Sequence, residues 1–138
     1  MDLHDDRVQA LLSSIVGERI TRIALAQWLI EISGDDSFFQ VESRWELRTN
    51  DGTTIDEKRG LEDRVGFELW RIVGSTIVSS IVVKKRLSTL ILKLSNGLEL
   101  ELCRDEDGYE DWNAHIGRPS TMIVVNGDDV SVFPPVTQ

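Results

Sequence analysis

The sequence predicts an α+β domain dominated by strands, in which two helix-then-β-meander units form one twisted or barrel-like antiparallel sheet with short helices. Three observations carry this expectation. First, a motif occurs twice, as Ile15-Val16-Gly17 and Ile72-Val73-Gly74; each copy is followed by a β-branched run, an alternating apolar segment and a Gly-containing turn. Second, much of the chain alternates with period two, as in Leu98-Glu99-Leu100-Glu101-Leu102, which puts apolar residues on one face of a strand and carboxylates on the other. Third, apolar spacings of three and four are confined to Asp2 to Ile15 and Leu61 to Val73, each running into an IVG. A length of 138 residues suits a single domain, so the two units, about 1–60 and 61–138, are expected to share it.

Taken in order, Asp2 to Ile15 places Leu3, Val8, Leu11, Leu12 and Ile15 on one helical face, with acids in the first turn and Gly17 as the stop. Thr21 to Leu25 and Trp28 to Ile32 read as strands, separated from the next by a Gly/Asp turn over Ser33 to Ser37. Phe39 to Arg48 reads as continuous extended chain: Val41, Trp45 and Leu47 share one face, while Glu42, Arg44, Glu46 and Arg48 make the other, a solvated one. Asn50-Asp51-Gly52 signals a turn. A short helix over Leu61 to Val73 is expected before the second meander, whose strands are Thr76 to Val83, Ser88 to Leu94 and Leu98 to Cys103, with Lys84, Lys85 and Arg86 at one turn and Asn96-Gly97 at the other. After an acidic loop, Arg104 to Glu110, come strands at Tyr109 to His115, Thr121 to Val125 and Val130 to Phe133, and Pro134-Pro135 ends the last of them.

This order of segments resembles a family of small acidic bacterial proteins typical of actinobacteria. The likeness rests on Glu42-Ser43-Arg44-Trp45-Glu46-Leu47, on Tyr109-Glu110-Asp111-Trp112 and on the closing hairpin from Asn126 to Phe133. It implies the same strand-rich, doubled fold and brings no activity with it.

Composition excludes several classes of function. A formal net charge of -9 argues against a broad basic surface for nucleic acid or anionic membrane, and the lone cluster Lys84-Lys85-Arg86 reads as protection of a hairpin tip. No apolar run reaches the roughly 18 to 20 residues of a membrane span, and the acidic, polar start is unlike a secretory signal; the expected compartment is cytoplasmic. One cysteine, Cys103, cannot form an internal disulfide or a cysteine metal cluster, and the acids that follow it would keep its thiol protonated.

No catalytic constellation stands out. His4 and His115 lie far apart and neither has metal-ligand spacing. Asp105 to Asp111 resembles a calcium loop, but its Gly108 comes too early and the closing bidentate Glu is missing. Phosphate-binding glycine loops are absent, so neither a metal nor a cofactor is expected.

Two functional readings remain open. In one, the chain is a non-catalytic binding protein, most concretely an immunity-type inhibitor that neutralises a basic toxin domain, since opposite charge speeds encounter. The partner-binding residues would be Asp35 and Asp36 at one turn, Asp105, Asp107 and Glu110 in the acidic loop, and Tyr109, Asp111 and Trp112 as an aromatic rim with acids. In the other, it is a small-ligand-binding protein or enzyme with carboxylates such as Glu31, Glu99 and Glu101 lining a groove between the two units. A third reading is a structural or accessory domain that homodimerises through an exposed sheet edge.

Overall fold

The computed structural model describes residues 2–26, 29–58, 68–84, 88–102, 111–126 and 129–135. Its first element, helix α1 (Asp6–Ser13), is shorter than the apolar spacing suggests. Asp5 caps it: one carboxylate oxygen accepts from the Arg7 and Val8 N–H groups at 3.0 and 3.4 Å, satisfying donors that lack a partner within the helix. Val8 and Leu12 are buried on one face, and Leu3 and Ile15 join them in the core from either side. No helix among the described residues is long and apolar enough to cross a membrane.

Among the described residues the rest of the regular structure is strand, apart from a 3-10 turn at Leu69–Ile72. The first five strands are β1 (Arg22–Leu25), β2 (Ile30–Ser33), β3 (Ser37–Val41), β4 (Trp45–Thr49) and β5 (Thr54–Lys58). The next six are β6 (Ile77–Lys84), β7 (Ser88–Leu94), β8 (Leu98–Leu102), β9 (Trp112–Ile116), β10 (Thr121–Asn126) and β11 (Asp129–Phe133). They form two antiparallel sheets, one ordered β1-β2-β3-β9-β10-β11 and the other β5-β4-β8-β7-β6. Buried residues from both sheets and from α1 belong to one hydrophobic cluster.

This architecture corrects the expected fold class in three respects. The protein is mostly β rather than α+β: one helix is present among the described residues, and the described part of the helix expected over Leu61 to Val73 is only the 3-10 turn, the segment 61–67 lying outside the described residues. There are two sheets, and neither closes into a barrel. Finally, the helix-then-meander unit is not the building block. The extended stretch from Phe39 to Arg48 is broken at 42–44, where the chain leaves the sheet of β1, β2 and β3 and enters the other as β4. There β4 pairs with β8 (Leu47 opposite Leu100), while β9 enters the first sheet and pairs with β3 (Phe39 opposite Ala114). Each half of the chain therefore supplies strands to both sheets.

The two IVG segments lie side by side at the seam between these halves. Gly17 N–H donates to the Ile77 carbonyl at 2.8 Å and Gly74 N–H donates to the Ile20 carbonyl at 2.7 Å, with Arg19 bridged to Thr76 between them. Ile77 N–H returns a bond to the Glu18 carbonyl at 2.9 Å, and Ile20 N–H to that of Ser75 at 2.8 Å. Gly17 and Gly74 adopt φ of 96° and 91°, a region that costs a residue with a Cβ and costs glycine little. The turn from each preceding segment into this ladder needs that conformation.

Candidate functional site

The side of the six-stranded sheet that faces away from the core carries a row of cross-strand neighbours. Register places Ser33 opposite Phe38, Phe38 opposite His115, His115 opposite Met122 and Met122 opposite Phe133. Their neighbours in sequence, Ile32, Phe39, Ala114, Ile116 and Ile123, are buried, so by strand alternation these four large side chains point outward. Phe38 and His115 stack with ring centroids 4.1 Å apart and planes 10° from parallel. Phe133, at the edge, is 50% exposed. The next row on the same face is polar at its centre, running Glu31, Gln40, Asn113, Val124 and Ser131.

The turn that carries Asp35 and Asp36 leads from Ser33 into Phe38 and so borders this row. It is held on several sides. Glu18 Oε1 accepts from the Asp36 N–H at 2.7 Å and from the Ser37 hydroxyl at 3.0 Å, and Asp35 Oδ2 accepts from the Arg19 N–H at 3.1 Å. Across from it is the β9–β10 turn, in which the Arg118–Pro119 peptide is cis. Arg118 Nε lies 3.2 Å from Asp36 Oδ1, its Nη2 donates to the Asp35 carbonyl at 2.9 Å, and Gly117 N–H donates to the Asp36 carbonyl at 2.8 Å. Both acids stay exposed, so an acidic, pre-ordered corner lies at one end of the aromatic row.

Other residues expected to meet a partner are placed differently. Asp111 and Trp112 are buried: the Asp111 carbonyl accepts from the Glu42 and Ser43 N–H groups at 3.1 and 3.0 Å, and the Trp112 ring packs 6.0 Å from Phe39. They therefore serve the interior rather than a rim. Asp105, Asp107, Tyr109 and Glu110 lie outside the described residues, as does Cys103. The three carboxylates expected around a shared groove are not brought together, because Glu31 lies on the outer face of the six-stranded sheet whereas Glu99 and Glu101 lie on that of the other.

Glu99 and Glu101 instead surround Arg48. Its guanidinium reaches Glu101 Oε1 at 3.2 Å, Glu99 Oε2 at 3.3 Å and Glu46 Oε1 at 3.8 Å, and Lys93 Nζ stands 3.7 Å from Glu99. Burial opposes the Arg48 charge, but the hydrogen bonds it donates to Glu101 and Glu99 and the nearby carboxylate charges more than offset it, raising its pKa. The charged side of β4 is thus a half-buried ion network rather than a solvated face. Among the described residues, no group of three or more His, Cys, Asp or Glu is placed to hold a metal ion.

His115 is the titratable member of the row. Burial lowers its pKa below the ordinary 6.5, with the Glu31 charge opposing. The unfolded chain therefore binds this proton more readily than the folded one, so His115 contributes stability above its unfolded value and loses it as pH falls below about 6.5. Between about pH 7.5 and 5.5, a window on either side of the ordinary imidazole value, wild-type stability should decline on acidification, and His115→Gln should flatten that decline in urea titrations. An identical slope in the variant would remove His115 as its source.

Nothing in the sequence marked Phe38, Met122 and Phe133 as a group. Alternation alone would have turned Phe38 away from Phe39, but only the register across four strands shows that Phe38, His115, Met122 and Phe133 line up. Compared with protein-family models, with curated proteins and with solved structures, the chain matches none, and the chemistry of this face has to be read from its own geometry.

Proposed function

We propose that this chain is a non-catalytic binding protein that recognises a protein partner through the outer face of the six-stranded sheet. The observation that carries this reading is the row Phe38, His115, Met122 and Phe133, partly exposed on a rigid sheet and bordered by the acidic corner of Asp35 and Asp36. An apolar and aromatic centre with a charged border is the composition of a protein interface, and aromatic side chains are frequent energetic anchors there. The net charge of -9 selects a basic partner and speeds its approach. A basic toxin domain neutralised by an inhibitor of the immunity type is the most concrete partner of this kind.

The test compares proteins captured by the tagged wild type and by Phe38→Ser/Phe133→Ser from a lysate of the source organism. Both side chains are partly exposed, and circular dichroism checks that the variant is folded. A basic partner held by the wild type, weakened at least roughly tenfold by the two substitutions and released as salt rises, is the expected result. Asp35→Asn/Asp36→Asn should slow association with that partner and reduce the salt dependence of its on-rate. Equal retention by the Phe38→Ser/Phe133→Ser variant would move the contact off this face.

A further inference from the structure

We infer that the partner recognised by this face inserts an arginine side chain, whose guanidinium stacks on the open side of Phe38 above Ser33 and pairs with Glu31. This rests on the reading that the outer face of the six-stranded sheet meets a basic protein, and it names the group that the face selects.

The aromatic row continues one strand further, into β1. Arg22 stands opposite Ser33 of β2, and Ser33 opposite Phe38 of β3. The Phe38 and His115 ring centroids are 4.1 Å apart and the planes within 10° of parallel, a separation close to that of the two strands that carry them. Stacking across adjacent strands sets one face of Phe38 against His115 and turns the other toward β2. The neighbour there is Ser33, whose side chain is too short to cover a phenyl ring. Arg22 is two strand spacings from Phe38, roughly 9.5 Å. A notch wide enough for one planar group therefore lies over Ser33, with the phenyl face as its wall.

The charge beside the notch is negative. Glu31 lies two residues before Ser33 on β2 and so on the same side of the sheet, and its carboxylate is near enough for its charge to act on His115. Arg22 Nη1 is 3.8 Å from Glu31 Oε1, an ion pair too long for a hydrogen bond, and the Arg22 side chain is 65% exposed. Such a contact contributes little to stability and gives way readily. The chain's own arginine thus stands, loosely held, where an incoming guanidinium is expected. Exposed Asp35 and Asp36 extend the negative field at the same end of the row.

Arginine is the cation that this arrangement fits. Its guanidinium is flat, stacks on an aromatic face and still presents N–H groups at its edge to a carboxylate. The lysine ammonium is a compact, strongly hydrated point charge that cannot do both in one geometry.

NMR titration of the full chain with three small probes tests this: N-acetylarginine amide, its lysine counterpart, and its citrulline counterpart, which has nearly the arginine shape and no charge. The arginine probe should shift the Glu31, Ser33 and Phe38 signals saturably, with a Kd on the order of 10 mM. The lysine probe should bind at least roughly threefold more weakly, and the citrulline probe should not saturate. Arg22→Gln, which removes the internal competitor, should tighten the arginine probe about twofold, and Glu31→Gln should weaken it at least roughly fivefold. Ser33→Phe fills the notch with a ring that pairs with Phe38 across the strands; it should abolish the shifts while circular dichroism stays that of the wild type. Absence of saturable shifts in both the wild type and Arg22→Gln overturns the proposal. So does citrulline binding as well as arginine, or unchanged binding by Glu31→Gln. The two readings fail separately. If Phe38→Ser/Phe133→Ser loses the captured basic partner while Ser33→Phe keeps it, the face stands as the interface and the arginine notch falls; a partner retained by Phe38→Ser/Phe133→Ser removes both.

Discussion

Trp112→Ala is expected to destabilise the protein by about 3–5 kcal/mol, the range for truncating a large buried aromatic. Trp112 opens β9, pairs with Val41 on one side and Val125 on the other, and is wholly buried. Its ring meets Phe39 at 6.0 Å with the planes tilted by 43°, a separation within the range of favourable aromatic pairs. Among the described residues its indole N–H meets no hydrogen-bond acceptor, so the loss on truncation is one of packing. For the same reason Trp112→Phe, which keeps a ring in the site and removes an unpaired buried donor, should cost clearly less than the alanine variant. Trp70 is the control: it is 63% exposed, and Trp70→Ala should stay within about 0.5 kcal/mol of the wild type. Urea titrations with unchanged slope measure all three. A Trp112→Ala midpoint equal to that of Trp70→Ala would show that the interior is not packed around Trp112.

The second large effect is expected from Arg48→Met, at about 2–4 kcal/mol, slightly below the range for wholly buried ion pairs because the network is not fully closed to water. Arg48 is the one cation within reach of Glu46, Glu99 and Glu101 together among the described residues, and Glu101 is only 6% exposed. Removing the guanidinium takes away the charge that faces all three carboxylates on neighbouring strands. Arg48→Lys should lie between the two, since an ammonium is a point charge that cannot fork towards both Glu99 and Glu101. Adding Glu99→Gln and Glu101→Gln to Arg48→Met should restore part of the stability, because the penalty comes from uncompensated charge rather than from lost volume. If the triple variant is less stable than Arg48→Met alone, the three groups do not act as this geometry requires.

Local signals in the chain placed several elements well. Ser88 to Leu94 forms a strand with those bounds, and the alternating stretch expected from Leu98 to Cys103 forms one over Leu98 to Leu102, Cys103 lying outside the described residues. Asn50-Asp51-Gly52 turns between β4 and β5, where Thr53 N–H donates to Asp51 Oδ1 at 3.1 Å; hydrogen bonds from Thr49 and Thr53 hold the Asp51 carboxyl below its usual range. The change of sheet at 42–44 was illegible for a specific reason. Ser37, Phe39, Val41, Ser43, Trp45 and Leu47 are all buried, so the alternation of period two runs straight through the crossing. A chain that passes between two sheets sharing a core keeps the same side inward, and periodicity reports sides, not sheets.

The candidate face follows the same division. Acidity, the outward placement of Asp35 and Asp36 at a turn, and the absence of ligand-spaced histidines or cysteines are properties of local sequence. Residue type and spacing therefore determined that the chain builds amphipathic strands around an apolar core and carries a strongly negative charge. Only the tertiary structure decided which strands are neighbours: it drew Trp112 and Asp111 inside, set Phe38, His115, Met122 and Phe133 in one row, and closed Glu99 and Glu101 around Arg48. Each of these depends on register between strands distant in sequence, which is fixed by how two apolar faces bury one another, and no single strand carries that information.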